Sequence, residues 1–315
     1  MYYCGINFVF CISMSYKEKI LFIVNPVSGK RNKKNFSRLV SQYIDLNRFN
    51  PKVVFTEYRG HAIEIVKKHL KKKIRYFVAV GGDGTVNEIA SVLINTKSVL
   101  GIIPMGSGNG LARHLQIPMA PAKAFKVINQ LVSMKIDYGL MNKIPFFCTC
   151  GVGFDALIGD KFAKEKQRGF ETYVMTTINE LLAYKPQRYT LEFPDYTIKR
   201  QAFLITFANS SQYGNNAYIA PNADIADGLI DICVLNPFPK INALGLGVKL
   251  FSRKVHKSDH VEIIRCSKVI LKRANSGAAH YDGEPCKLGK KIKIQLIHKG
   301  LQVIVPEKFK KKSRK

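Results

Sequence analysis

The sequence predicts an α/β domain with a parallel sheet, followed by an antiparallel β-sandwich domain. Three observations predict it. Up to residue 115, apolar runs alternate with segments of helical period. After residue 140 the helical period almost vanishes, and short apolar runs separated by turn residues take over. The chain has 315 residues, 46% hydrophobic and 23% charged, which suffices for two cores and excludes disorder for its bulk.

The elements follow in order. Residues 19–26 (KILFIVNP) are apolar almost throughout and end in a turn, the pattern of a strand buried on both faces. Phe36, Leu39, Val40, Tyr43 and Ile44 then recur at helical spacing. A second strand spans 52–56, and Ala62, Ile65, Val66, His69 and Leu70 mark a second helix. A third strand, 76–80, runs into Gly81-Gly82-Asp83-Gly84-Thr85 and a helix carrying Val86, Ile89, Ala90, Leu93 and Ile94. A fourth, 99–104, runs into Gly106-Ser107-Gly108-Asn109-Gly110 and a short helix over 111–115. This order implies parallel strands with ligand loops at their carboxyl ends. Loops 25–30, 81–85 and 106–110 all lie there.

In the second half, strands are expected at 146–150, 189–193, 201–208, 229–235, 260–266, 269–272, 291–297 and 301–305, with one helix at 170–182. The expected organisation is an N-terminal extension (1–16), an α/β domain (17–140), a β-sandwich (141–306) and a basic tail (307–315).

Lys and Arg number 50 and Asp and Glu 22, a net charge of +28. Basic clusters lie at 30–38, 67–75 and 308–315. They suit an anionic membrane surface, phosphate-bearing substrates or nucleic acid. No RNP or zinc pattern supports the last, so nucleic acid is not expected. The seven cysteines show no CxxC pair and read as free thiols of a reducing compartment. No apolar run reaches the ~18–20 residues of a membrane span, and no leader pattern is seen, so a cytoplasmic protein is expected. His61, His114 and His280 lack metal-ligand spacing and read as satisfied or solvated.

Gly-rich loops after parallel strands expose backbone N–H groups that hold phosphates. The Walker pattern is absent at Gly29-Lys30, and the Rossmann pattern fails at 106–110. Residues 151–156 fit GxGxxA but open the second half rather than a first βαβ unit. In 81–85, three glycines would let a phosphate approach, Asp83 could hold a cation and Thr85 could donate. The alternative is a tight strand-to-helix turn with a capping Asp. Asp282-Gly283 reads equally as a carboxylate base or as an exposed hairpin turn. Asp227-Gly228 reads as an oxygen-ligand turn or as a plain one.

Taken together, Asn25-Pro26…Ser28-Gly29-Lys30, 81–85 with Asn87-Glu88, and PMGSGNGLAR at 104–113 resemble the diacylglycerol kinase catalytic domain family. Bacterial lipid kinases and sphingosine kinases belong to it. The likeness continues through 151–156, Asn209…Tyr213-Gly214, Pro221…Asp227-Gly228-Leu229 and Asp282-Gly283-Glu284. It implies an ATP- and Mg²⁺-dependent kinase with its active site between a nucleotide domain and a lipid-substrate domain. The chain end would return to the first domain. The γ-phosphoryl group would pass to a lipid hydroxyl, foremost that of diacylglycerol, giving phosphatidic acid. A sphingoid base is the alternative acceptor; an NAD kinase-like enzyme, which shares the GGDGT loop, is a further one.

The resemblance also implies roles. Asn25, Pro26, Ser28, Gly29, Lys30 and Thr56 would line the nucleotide site. Gly81, Gly82, Asp83, Gly84, Thr85, Asn87 and Glu88 would cradle phosphates, with Gly106, Ser107, Gly108 and Asn109. Asp282 would be the general base, with Glu284 beside it. Asp224, Asp227 and Leu229 would hold a structural magnesium. Asp83 and Asp137 would join a water and magnesium network at the active site. Gly110 departs from the bacterial pattern, which carries an acid there, and brings the loop closer to the sphingosine kinases. Such an enzyme would sit peripherally at the inner membrane face, bound through its basic patches, and a homodimer is compatible with this reading.

Overall fold

Four strands build the first domain: β1 (Glu18–Val24), β2 (Phe49–Phe55), β3 (Tyr76–Gly81) and β4 (Val99–Pro104). They pair in parallel in the order β2-β1-β3-β4. All of β3 and β4 is buried, which is why these runs show no polar alternation. The structure, a computed structural model, describes residues 17–29, 33, 35–164, 177, 180 and 183–312. The helix expected at 170–182 therefore lies almost wholly outside the described residues, as do Lys30 and the last three residues of the tail.

Helices α1 (Phe36–Tyr43), α2 (His61–Leu70) and α3 (Asp83–Leu93) connect these strands, and α4 (Gly110–His114) and α5 (Pro121–Gln130) follow. No element is expected from the sequence over 121–130, although Pro121 at the start of α5 is a helix-opening signal. Phe125 of α5 stacks on Phe36 at 5.9 Å and lies 5.8 Å from Phe22 of β1, so α5 covers one face of the sheet. The strand order places the topological switch between β1 and β3. The chain leaves these two strands toward opposite sides of the sheet, and the gap at their carboxyl ends is the natural ligand crevice.

The strands expected at 291–297 and 301–305 are one element, β16 (Lys291–Ile304), with an irregularity between Ile297 and Leu301. β5 (Ser133–Met141) runs antiparallel along it. β4 joins its far end in parallel at Gln302 and Val303, and β13 (Lys268–Arg273) pairs with its start. With β6 (Ile144–Phe146), β8 (Gln187–Glu192) and β9 (Thr197–Ala202), the result is one sheet of ten strands, parallel at one end and antiparallel at the other.

A second sheet, antiparallel in the order β12-β11-β10-β7-β14-β15, contains β7 (Thr149–Gly153), β10 (Leu204–Ala208), β11 (Ile230–Leu235), β12 (Val261–Cys266), β14 (Gly277–Tyr281) and β15 (Glu284–Leu288). Its inward Val152, Ile205, Phe207 and Ile232 pack on Leu191, Val269, Leu271 and Ile294 of the first sheet. That apolar layer makes the second half a sandwich. α6 (Phe154–Lys164) follows β7, and α7 (Ala243–Phe251) lies between β11 and β12.

Part of the expected tail is folded. α8 (Glu307–Lys312) buries Phe309 in the first domain's core, edge-on to His114 at 6.0 Å. Burial and the nearby Arg253 charge lower the His114 pKa to about 4, and its Nδ1 accepts from the Ser211 backbone N–H. The five described cysteines are free, with Cys148, Cys150 and Cys233 buried.

Candidate active site

Three loops at the carboxyl ends of β1, β3 and β4 are locked together. Asn25 Nδ2 donates to Thr85 Oγ1 at 3.1 Å, joining the first loop to the second. Asn25 Oδ1 also accepts from the Val27 N–H, and its backbone carbonyl accepts from Ser28, so the first loop closes on itself. Gly29 has φ +62°, and a Cβ there would fall 2.2 Å from the Met105 carbonyl oxygen. A Cβ on Gly106 would meet Gly82 Cα at 2.3 Å, so the second and third loops touch backbone to backbone. Only glycine permits that approach. Asn109, at φ +54°, ties the third loop by bonding both the N–H and the carbonyl of Gly106.

α3 begins inside this cradle, with Gly82 as its N-cap and no side-chain cap bond. Its first N–H groups and the positive end of its dipole suit an anion. Thr56 follows β2 directly and lies beside the end of β1, its N–H donating to Val24 O. Glu88 accepts from the Gly60 N–H and so braces the start of α2. Pro26 flanks Asn25 at the loop's start, and Ser107 is exposed at the tip of the third loop.

Two carboxylates, one from each domain, lie close enough here for the charge of one to act on the other. Asp83 opens α3, and its Oδ1 accepts from the Gly110 N–H at 2.7 Å. Burial first, and then the charge of Asp282, push the Asp83 carboxyl up to about 6. Asp282 arrives from the other domain on the turn between β14 and β15. Asp282 (φ +46°) and Gly283 (φ +82°) are both left-handed, as a two-residue hairpin of this hand requires. The turn is real, but its carboxylate is buried rather than exposed. Oδ2 accepts from Asn87 Nδ2 at 2.8 Å and the Phe147 N–H at 2.9 Å; Oδ1 accepts from the Cys148 and Thr149 N–H groups at 2.7 and 3.2 Å. Burial raises this carboxyl above its ordinary range, against the downward pull of those four donors. Asn87 is thus the direct link from α3 to the catalytic candidate. Glu284 lies over Gly84, where a Cβ would stand 2.8 Å from Oε1, and pairs with Arg59 at 2.8 Å.

Asp137 of β5 lies fully buried by the irregularity of β16, beside the 224–229 turn. Its Oδ1 accepts from Lys299 N and meets His298 Nδ1 at 2.9 Å, while Oδ2 accepts from Gly228 N at 2.7 Å. It therefore supports the 224–229 turn. In that turn Asp224 accepts from the Ala226 N–H and Asp227 from the Leu229 N–H; the second Asp227 oxygen is held by Arg265. Oxygen donors suit magnesium, but here protein donors already engage the carboxylates and a guanidinium supplies the positive charge. A cation at the Asp227 carboxylate would compete with the Arg265 guanidinium. Among the described residues no group of three or more His, Cys, Asp or Glu is arranged to hold a metal.

A further polar cluster lies beside the site. Asp155 Oδ2 meets Thr206 Oγ1, Tyr213 OH and His280 Nε2 at 2.9–3.1 Å. The 151–156 segment is therefore not a dinucleotide loop: a Cβ on Gly151 would meet His280 Nε2 at 2.8 Å. His280 is satisfied, as the sequence suggests. Its pairing with Asp155, 125 residues away, carries no local signal.

Comparison with known proteins agrees with this geometry. Residues 19–141 match the model for the diacylglycerol kinase catalytic domain, and residues 148–305 match the YegS C-terminal NAD kinase β-sandwich-like domain. A Chromohalobacter salexigens protein named as a probable YegS-like lipid kinase is 28% identical over 72% of this chain and 75% of its own. The diacylglycerol kinase of Bacillus subtilis is 25% identical over 85% of this chain and 90% of its own. A Bacillus anthracis diacylglycerol kinase structure superposes with a TM-score of 0.70 at 20% identity, covering 93% of this chain and 98% of that one. An Archaeoglobus fulgidus NAD kinase structure reaches 0.53 at 13% identity, over 94% and 98%. These two structures speak to the fold alone. On the family models, which together span almost everything from β1 to β16, this chain belongs to the diacylglycerol kinase catalytic domain family of lipid kinases.

Proposed function

We propose that the protein transfers the γ-phosphoryl group of MgATP to the hydroxyl of diacylglycerol, giving phosphatidic acid. One observation carries the reading: a buried carboxylate from the sandwich, Asp282, is held against the mouth of three interlocked phosphate-type loops by Asn87 of α3. Phosphoryl transfer needs positioning and charge neutralisation more than covalent chemistry. Loop N–H groups and the α3 N-terminus would hold the phosphates, and Mg²⁺ would arrive with ATP as part of the substrate. A lipid hydroxyl is a poor nucleophile, so Asp282 would accept its proton as the new bond forms. Its raised affinity for a proton suits that task.

The four donors on Asp282 set a condition. A carboxylate has about four lone-pair sites, and all are taken here. Three donors are consecutive backbone N–H groups, Phe147 to Thr149, where the chain passes from β6 into β7. Asn87 is the one side chain, so its amide must turn aside for the acceptor hydroxyl to reach Oδ2.

A sphingoid base is the second acceptor, favoured by Gly110. A side chain there would meet the Tyr213 carbonyl oxygen 3.1 Å from its Cβ, so the acid of the bacterial pattern has little room. Paired assays with diacylglycerol and sphinganine in the same micelles test the choice. Phosphorylation of diacylglycerol in preference to sphinganine supports the first reading, and the reverse supports the second.

A further inference from the structure

We propose that α7 is a membrane-docking helix that lies in the interface of an anionic bilayer; the idea rests on the lipid-kinase reading and deepens it. No residue of α7 is buried. Ile241, just before it, and Leu244, Val248 and Phe251 within it are 89%, 81%, 61% and 48% exposed. Their spacing of three, four and three residues puts them on one stripe. They account for half of the exposed large apolar residues among those described, gathered on a single short element. Solvent alone gives no reason for such a stripe.

The opposite face explains how the helix is held. Leu246, Gly247 and Leu250 line an apolar cavity of about 130 Å³, closed from below by Leu204, Ile219, Cys233 and Val255. The Leu250 carbonyl accepts from the Tyr218 N–H at 3.0 Å, and the Arg253 guanidinium lies 4.1 Å over the Tyr218 ring. The helix is therefore fixed by its inner face and carries its apolar stripe outward.

Charge selects the occupant. Between residues 240 and 259 the chain holds Lys240, Lys249, Arg253, Lys254 and Lys257 against a single acid, Asp259. An apolar stripe edged by cations is the pattern of a helix lying at a lipid headgroup boundary. A second copy of this chain would bring the same positive charges face to face. The location has a use as well: α7 is bonded to the 213–218 segment, whose Asn215 N–H donates to Gly108 O in the third loop at 3.2 Å. Docking at α7 would set the crevice next to its acceptor.

The sequence has no tryptophan, so Leu244→Trp supplies a single reporter. Its emission should shift to the blue and be quenched by bromine-labelled chains on vesicles of phosphatidylglycerol and phosphatidylcholine, less so as salt rises. Tyr196→Trp, at an exposed position between β8 and β9, should show neither change. The double variant Leu244→Asp, Val248→Asp should bind these vesicles about tenfold or more weakly. Both positions are exposed, so the fold should persist, checked by an unchanged circular dichroism spectrum. Unmoved Leu244→Trp emission on vesicles, or equal binding by the double variant, overturns the proposal. So does a blue shift that appears without vesicles and grows with protein concentration, which would assign the stripe to a second copy. Binding is read without ATP. A wild-type protein that phosphorylates lipid in detergent micelles yet does not bind these vesicles rejects the helix alone, and one that binds them without phosphorylating any lipid rejects the kinase reading alone.

Discussion

At the scale of single residues, the carboxylates hold most of the chemistry. Asp282→Asn should lower kcat with lipid acceptor by about 10²–10⁴-fold, because the amide cannot take a proton. It should also cost about 1–3 kcal/mol of stability, since an NH₂ group would face the Phe147 N–H, which cannot turn over as Asn87 can. Urea unfolding and ATP titration separate the two effects; a variant keeping more than about a tenth of the rate contradicts the role. Asp83 tests the electrostatics. Its folded pKa, about 6, lies above the ordinary carboxyl value, so the folded state resists its ionisation. That penalty is absent below about pH 4 and grows as pH rises through 6. Asp83→Asn should therefore stabilise the protein at pH 8 but not at pH 4, by about 1–2 kcal/mol because the residue is only half-buried. Equal urea midpoints for both proteins at pH 8 would contradict this. Sequence marks Asp282 as a turn residue and, through the family resemblance, as a base. What it cannot give is burial: the four donors on that carboxylate come from 133 or more residues away.

At the scale of elements, the loops after β1, β3 and β4 were legible because glycine and position coincide. That they touch was not. Gly106→Ala would drive a Cβ into backbone at 2.3 Å, where nothing flexible can yield, so the second and third loops must part. The apparent affinity for ATP should fall at least about tenfold, measured by nucleotide titration; an unchanged affinity would mean the loops do not act as one cradle. The 224–229 turn makes the opposite case. Arg265 joins Asp227 and Asp231 there, and Asp231 is nearly buried. Arg265→Ala should lower stability by about 1–3 kcal/mol, the cost of leaving that acid unpaired discounted for the exposure of the guanidinium. EDTA should leave the wild-type melting temperature unchanged, whereas a fall of several degrees would restore a bound cation to the turn. Strands β8, β10, β11, β12 and β13 were legible from their apolar patterning. β5, β9, α5 and the small strands β14 and β15 were not; in the last two, Gly277-Ala278-Ala279 and a proline carry no strand period.

At the scale of the whole molecule, β16 decides how the two halves meet. Read from sequence it splits at His298-Lys299-Gly300, which looks like a turn. In the fold this is an irregularity held by Asp137, and the strand runs on to pair with β4. The sheet of the nucleotide-type domain thus continues into the sandwich, and the Asp282 turn is carried on the opposing sheet toward the α3 N-terminus. Among the described residues no helix is long and apolar enough to cross a membrane. The measurement closest to the central claim is transfer of radiolabel from ATP, with Mg²⁺, into lipid extracted from diacylglycerol micelles. The account predicts labelled phosphatidic acid from the wild-type protein and almost none from Asp282→Asn. Absence of label from every lipid acceptor offered to the wild type, or equal labelling by both proteins, would contradict it.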